Sequence, residues 1–496
     1  MKQTAIIVVT ILIMALSVGC GSSPPTATPA LATPTAVAVA STSPSSPTPL
    51  PTVTPLPTGT ATPPPTDTAT SLPTDTVIPL PSDTPTASPT PLPESTVSLP
   101  DELSEAMDAV EVEMEMLRGL DETMPITRTL MTREQLAAYL EGEFAEEYSP
   151  QEVEADVRVL AAFDFVPEDF DLLGLLLALY SEQIAGFYEE EEDTFYVITG
   201  GEPGAGSIES FDLLARVTFA HEYVHGLQDE HFDLGTFIDE DEHNDDEILA
   251  RLSLVEGDAS LAMIQYMIAH ASEFTAEDLE ALSGEGMEAG QESLDQAPPI
   301  IRETFMFPYI YGLDFVAVLQ EQGWEAVDEA YADPPRSSEQ ILHPEKYLAG
   351  DEPQIVAVPP LTDTLGAGWR LVEAETLGEF QTGLYLVQQV DQATADLASA
   401  GWDGDQYALY AQDGAEVLVF ATVWDSPEDG QEFRAAYTQY AEAKYGEAAS
   451  PHGEAELWWE TPAQTAVLAW GDAMVWIVLG PDPETVTRTL AAIRPL

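Results

Sequence analysis

Hydrophobic and polar positions change rhythm along this chain, and the changes divide it. An apolar run, AIIVVTILIMALSVG, follows Lys2 and ends at Cys20. From Gly21 to about Pro100 no apolar period exists, and Pro, Thr and Ser dominate, as in PTPLPTVTPLPTGTATPPPTDT. Such a segment cannot bury a core and is expected to be an extended, polyproline-like stalk. Helical period begins near Asp101, where DELSEAMDAVEVEMEMLRGL and TREQLAAYLEGEF space their apolar residues three and four apart. Ser149-Pro150-Gln151-Glu152 is a capping box with proline at the first helical position, and it predicts a helix start. DFDLLGLLLALYSEQIA, over 169–185, predicts a strongly apolar helix central to the core. GFYEEEEDTFYVITG then sets two apolar runs around an acidic turn, which predicts a hairpin. GGEPGAG reads as a loop, and a further helix is expected from Phe211, in FDLLARVTFAHEYVHGLQ. Beyond the acidic loop IDEDEHNDDE, helices are expected over 248–270 and 275–297, and 300–322 contains the apolar stretch FPYIYGLDFVAVLQ. SSEQILHPEKY leads into a proline-dotted segment that ends near Thr364.

From about Leu365 the rhythm becomes that of strands: GLYLVQQV, YALYA, EVLVFATVW, AELWW, TAVLAW and AMVWIVLG, separated by turns. Two helices interrupt them, SPEDGQEFRAAYTQYAEAKYG and DPETVTRTLAAIR. The expected organisation is a signal segment over 1–20, the stalk over 21–100, a mainly helical domain with a small hairpin over 101–364, and a separate α+β domain over 365–496. The class of the whole is α+β. No internal repeat and no nucleotide-binding loop is evident.

Composition narrows the partners. Lys and Arg total 15 against 88 Asp and Glu, a formal net charge of −73. Nucleic acid and anionic membrane surfaces are repelled by such a chain. The charge balance suits a saline exterior, where counterions screen self-repulsion, or a cationic partner. The single cysteine excludes an internal disulfide and a cysteine-based zinc site. Its place, directly after a charged residue and an apolar run too short for an ordinary membrane span, resembles a bacterial lipoprotein signal. Ser17 departs from that pattern, where leucine is usual, and Leu16 stands one place early. A lipidated Cys20, an uncleaved anchor and ordinary secretion all place the remaining chain outside the cytoplasm. The lipidated form implies a protein tethered to the cell-surface membrane.

The candidate chemistry lies in His221-Glu222-Tyr223-Val224-His225, an H-E-x-x-H sequence within a helical pattern. Residues four apart share one helix face, so both imidazoles can reach one ion, and Glu222 stands where it can handle water at that ion. Zinc sites of the catalytic kind use three protein ligands. Two residues compete for the third place. His231 nearly completes H-E-x-x-H-x-x-G-x-x-H, but Gln228 replaces the glycine that would break the helix. On a continuing helix, at about 100° per residue, His231 turns away from the ligand face. Glu256, in LVEGDAS on the next long helix, is the other candidate.

Glu256 with Gly257 and Ala259 resembles the E-G-x-A form of gluzincin, peptidase-MA-like metallopeptidases. The upstream helix and hairpin are similar to the gluzincin core, in which an edge strand crosses the active-site helix. The resemblance is specific over about 182–267 and extends loosely to Tyr347 through QDEHFDL, FPYIYG and SSEQILHPEKY. It implies a zincin-like domain with one Zn²⁺ on His221, His225 and Glu256, and Glu222 as general base. It also implies a downstream Tyr or His at the oxyanion, for which Tyr309, Tyr311 and His343 are available. Small residues near Glu256 would let its helix approach the motif helix. Tyr188, or Phe195 to Val197, would form the edge strand for an extended peptide. Asp258 is a candidate for orienting a ligand histidine. The implied activity is zinc-dependent hydrolysis of peptide or protein substrates. The competing reading is an envelope lipoprotein that keeps such a fold as a binding or structural module.

Overall fold

The computed structural model describes residues 99–184, 186–189, 194–199, 211, 213–239, 243–276, 278, 292–471 and 474–494. The signal segment with Cys20, nearly all of the stalk, the loop GGEPGAG and most of the helix expected over 275–297 lie outside the described residues. Local signals start and stop most helices. In α1 (Asp101–Arg118) the acidic residues stand in the first turn and Arg118 in the last, each favourable to the helix dipole, and Gly119 ends it at φ 83°. Strand β1 (Thr127–Thr132) passes into α2 (Arg133–Glu147), where Thr132 and Gln135 form a capping box. The expected box at Ser149 and Glu152 opens α3 (Pro150–Ala162). Asp171 caps α4 (Leu172–Gln183). Strands β2 (Gly186–Glu189) and β3 (Thr194–Thr199) then pair antiparallel, as the hairpin pattern predicts. Next come α5 (Leu213–Phe232), α6 (Leu234–Phe237) and α7 (Asp245–Ala269). Helices α8 (Glu292–Gln296), α9 (Pro299–Gln320), α10 (Trp324–Ala332), α11 (Ser338–Leu342) and α12 (Pro344–Ala349) complete the region.

The small sheet has the order β1-β3-β2, with β1 parallel to β3. Strand β1 was not expected, because TRTLMT runs directly into the period of α2. Its pairing places Phe195–Val197 in the centre of the sheet, so the edge strand carrying Tyr188 is β2. Helix α5 is enclosed: Met107 and Met114 of α1, Phe195 of β3, and Ala259 and Met263 of α7 share one buried cluster with its Val217, Ala220 and Val224. Helix α7 also crosses α9 at backbone contact. A Cβ on Gly257 would stand 2.1 Å from the Gly312 carbonyl oxygen, and a Cβ on Gly312 would stand 2.1 Å from that of Ser253. The expectation that Gly257 admits the motif helix is therefore corrected: Gly257 admits α9, and Ala259 faces α5.

The chain continues through α13 (Thr362–Leu365), β4 (Arg370–Glu375), α14 (Gly378–Val387), α15 (Gln392–Ser399), β5 (Trp402–Gln412) and β6 (Ala415–Trp424). Helix α16 (Pro427–Tyr445), strands β7 (Ser450–Pro451), β8 (Glu456–Glu460), β9 (Thr465–Trp470) and β10 (Met474–Gly480), and α17 (Pro483–Ile493) follow. They build an antiparallel sheet in the order β4-β5-β6-β10-β9-β8-β7. Asp413 at φ 49° and Gly414 at φ 82° make the tight turn between β5 and β6. GLYLVQQV, expected as a strand, lies mostly in α14. Its buried Tyr385 and Leu386 continue the spacing of Glu379 and Thr382, a helical period that outweighs the local strand propensity. Val159 of α3 and Phe163, which follows its last residue, sit in the core on one face of this sheet with Tyr385, Tyr407 and Phe420, so the helical region and the sheet share packing. The whole is α+β.

Candidate metal centre

Helix α5 continues unbroken through His231, as Gln228 predicts, and this sets which side chains converge. His221 and His225 project from one face with ring centroids 4.7 Å apart. Glu256 reaches them from α7, its Oε2 lying 3.2 Å from His221 Nε2 and 3.7 Å from His225 Nε2. One ligand atom from each residue falls within 4.8 Å of the others, and all three residues are buried. The group could hold a metal ion.

Orphaned atoms test that fit. His225 Nε2 and both carboxylate oxygens of Glu222 are buried with no hydrogen-bond partner. Each such atom costs about 1–3 kcal/mol when nothing satisfies it. A cation seated among the three residues would take up the imidazole lone pair and bring polar company to Glu222. Two imidazoles and a carboxylate suit zinc and also other divalent transition metals. Burial, and then the neighbouring His221, hold His225 well below the usual imidazole range, which favours the neutral form a ligand needs. Burial, and then the charge of Glu256, push the Glu222 carboxyl well above its usual range.

Of the downstream candidates, Tyr309 joins the group. The crossing of α7 and α9 brings its hydroxyl to 3.1 Å from Glu256 Oε1, to which it donates. Burial and the same carboxylate raise its phenol well above the ordinary value, so it keeps its proton. Tyr311 is partly exposed and packs on Phe307 and Phe380. His343 is not brought into the group: its Nε2 lies 3.0 Å from Glu379 Oε1, where it ties the end of α11 to α14. His231 is not brought in either, since its Nε2 lies 2.9 Å from the Asp121 carbonyl on the surface. Asp258 touches no histidine; it is fully buried against Arg118, and Gln228 stands between it and His225.

Strand β2 and the segment before β1 lie directly on α5 beside His225. A Cβ on Gly226, next to His225, would stand 2.4 Å from Ile126 and 3.6 Å from the Tyr188 ring. Tyr188 donates to Asp229, 3.1 Å away, and fastens β2 to the helix. Sequence reasoning missed Gln228 as a polar neighbour of the site. The signal was present: it stands three residues after His225, hence on the same face.

A family model described as a domain of unknown function, DUF8575, matches residues 369–490. The match spans the larger sheet and its helices, and the metal centre lies outside it. No curated protein and no solved structure matches the chain.

Proposed function

We propose that this chain is a zinc-dependent peptidase of gluzincin type, held outside the cytoplasm by its N-terminal segment. The observation that carries the reading is the buried group of His221, His225 and Glu256 with the unpartnered carboxylate of Glu222 beside it. Zinc on those three residues would supply Lewis acidity, which brings the pKa of bound water to about 7 and polarises a peptide carbonyl. Glu222 would accept the proton of the attacking water and pass it to the leaving amine. Tyr309 keeps its proton and is the group near Glu256 that can donate to the oxyanion that develops. The outer edge of β2, resting on α5, suits an extended peptide added as a further strand. Cys20 as a lipidated residue is part of the same proposal and rests on the signal-like sequence that ends there.

Metal analysis of single variants tests the ligand set. Glu256→Ala should lose most of the zinc, and His231→Ala should keep it. Loss confined to the His231 variant would replace this reading with a metzincin-like one. Stoichiometric zinc in a wild-type protein that cleaves no member of a peptide library would favour the binding module.

A further inference from the structure

Gln228 lies one turn beyond His225 on α5, and its amide can face only one way. Its Nε2 donates to the Val255 carbonyl at 3.0 Å and to Asp258 Oδ2 at 3.0 Å. Both partners are acceptors, so the amide nitrogen is committed to them and Oε1 is turned to His225 Nδ1, 2.7 Å away. A carbonyl oxygen accepts and never donates. The proton of that contact therefore sits on Nδ1. The lone pair is left on Nε2, the buried and unpartnered atom on the side of His221 and Glu256.

Every side chain that meets Asp258 donates to it, so nothing there reverses this arrangement. Arg118 Nε donates to its Oδ1 at 2.5 Å and Arg118 Nη2 to its Oδ2 at 3.0 Å. The Tyr331 hydroxyl and Gln228 add a bond each to Oδ2, both at 3.0 Å. Four donors thus meet the two oxygens, which answer them as acceptors. Arg118 is fixed in turn by Asp328, 2.7 Å away, and by the Trp324 ring, 4.6 Å beneath its guanidinium. Residues from α1, α7 and α10 thus converge on one amide of α5.

We propose that Gln228, locked by Asp258 and Arg118, is a positioning residue that holds His225 as the Nδ1–H tautomer and so presents Nε2 to the metal. The proposal rests on the reading of His225 as a metal ligand. If Gln228 merely fills polar space, the tautomer and the metal affinity are indifferent to it. Outer partners of ligand histidines are generally worth about 10–100-fold in metal affinity.

The test uses the full-length protein with ¹⁵N-labelled histidine. NMR of the metal-free wild type should show the His225 proton on Nδ1. Zinc titration against a competing chelator should show Gln228→Met weakened by about 10–100-fold, with unchanged far-UV circular dichroism. Gln228→Ala deletes the same acceptor with a shorter side chain and should weaken zinc similarly. A proton on Nε2 in the wild type, or a folded variant that binds zinc within about twofold of wild type, would overturn the proposal. If Gln228→Met does not fold, the wild-type tautomer and Gln228→Ala decide. A wild type that binds no zinc would sink the peptidase reading, while the tautomer would still decide this inference.

Discussion

Glu256 serves two neighbours at once: one oxygen lies against His221 and the other accepts from Tyr309. A single hydroxyl therefore touches the group that could hold a metal ion. Tyr309→Phe should lower kcat by about 10²–10³-fold with zinc content near wild type, the loss typical of one oxyanion donor. A variant that keeps full kcat would confine Tyr309 to packing. Arg118 makes a different prediction, because its side chain and that of Asp258 are both fully buried. Arg118→Ala leaves a buried carboxylate without its counter-charge and should cost about 3–5 kcal/mol of stability in denaturant unfolding. A loss below about 1 kcal/mol, the range of exposed pairs, would contradict the burial. The pairing of His221 and His225 was legible in the sequence because their spacing on one helix is a local property, whereas Glu256 came with the resemblance to gluzincins. Arg118 and Asp258 stand 140 residues apart, so no local pattern links them.

At the scale of elements, the contact of α7 with α9 holds Glu256 and Tyr309 together. Opposing effects meet in Gly312→Ala. Replacing a helical glycine with alanine ordinarily gains up to about 1 kcal/mol. Here the added Cβ would meet the Ser253 carbonyl at 2.1 Å, and a backbone atom cannot rotate aside. The helices must part, so the clash wins. The expected outcome is a lower melting temperature, with a loss of about 1–3 kcal/mol and weaker zinc binding. An unchanged melting temperature would show that the crossing is looser than described. Helices were legible where caps and period agreed, as at Ser149, whereas α7 starts at Asp245, within the stretch expected as an acidic loop, because Asn244 caps it. The misread elements were those decided by distant partners. Strand β1 exists through its parallel pairing with β3, and α14 through packing of Tyr385 on Phe163. The aromatic, β-branched look of GLYLVQQV carried no trace of that contact.

The molecule as a whole carries its negative charge into the interior. Burial pushes the carboxyls of Asp405 up to about 6, Asp246 to about 7 and Glu339 to about 8, the last despite Lys346 beside it. A carboxyl with a raised folded pKa binds its proton more tightly in the native state than in the unfolded chain. Its contribution is complete below the unfolded value near 4 and is lost as pH rises through the folded value. These groups therefore lower stability as pH rises from about 4 towards about 8, Asp405 over the lower part of that range and Glu339 over all of it, and self-repulsion of a chain with net charge −73 acts in the same direction. Calorimetry of the metal-free protein should give a higher melting temperature at about pH 6 than at about pH 8.5, with salt narrowing the gap. A melting temperature that rises with pH would contradict the burial of these carboxyls.

The most direct measurement of the central claim is peptide cleavage by wild type and Glu222→Gln, with zinc determined on the same samples. Wild type should cleave a peptide library and carry one zinc per chain. Glu222→Gln should keep the zinc and lose cleavage, because the base is removed and the ligands are intact. Near-normal cleavage by Glu222→Gln, or no zinc in the wild type, would contradict the account.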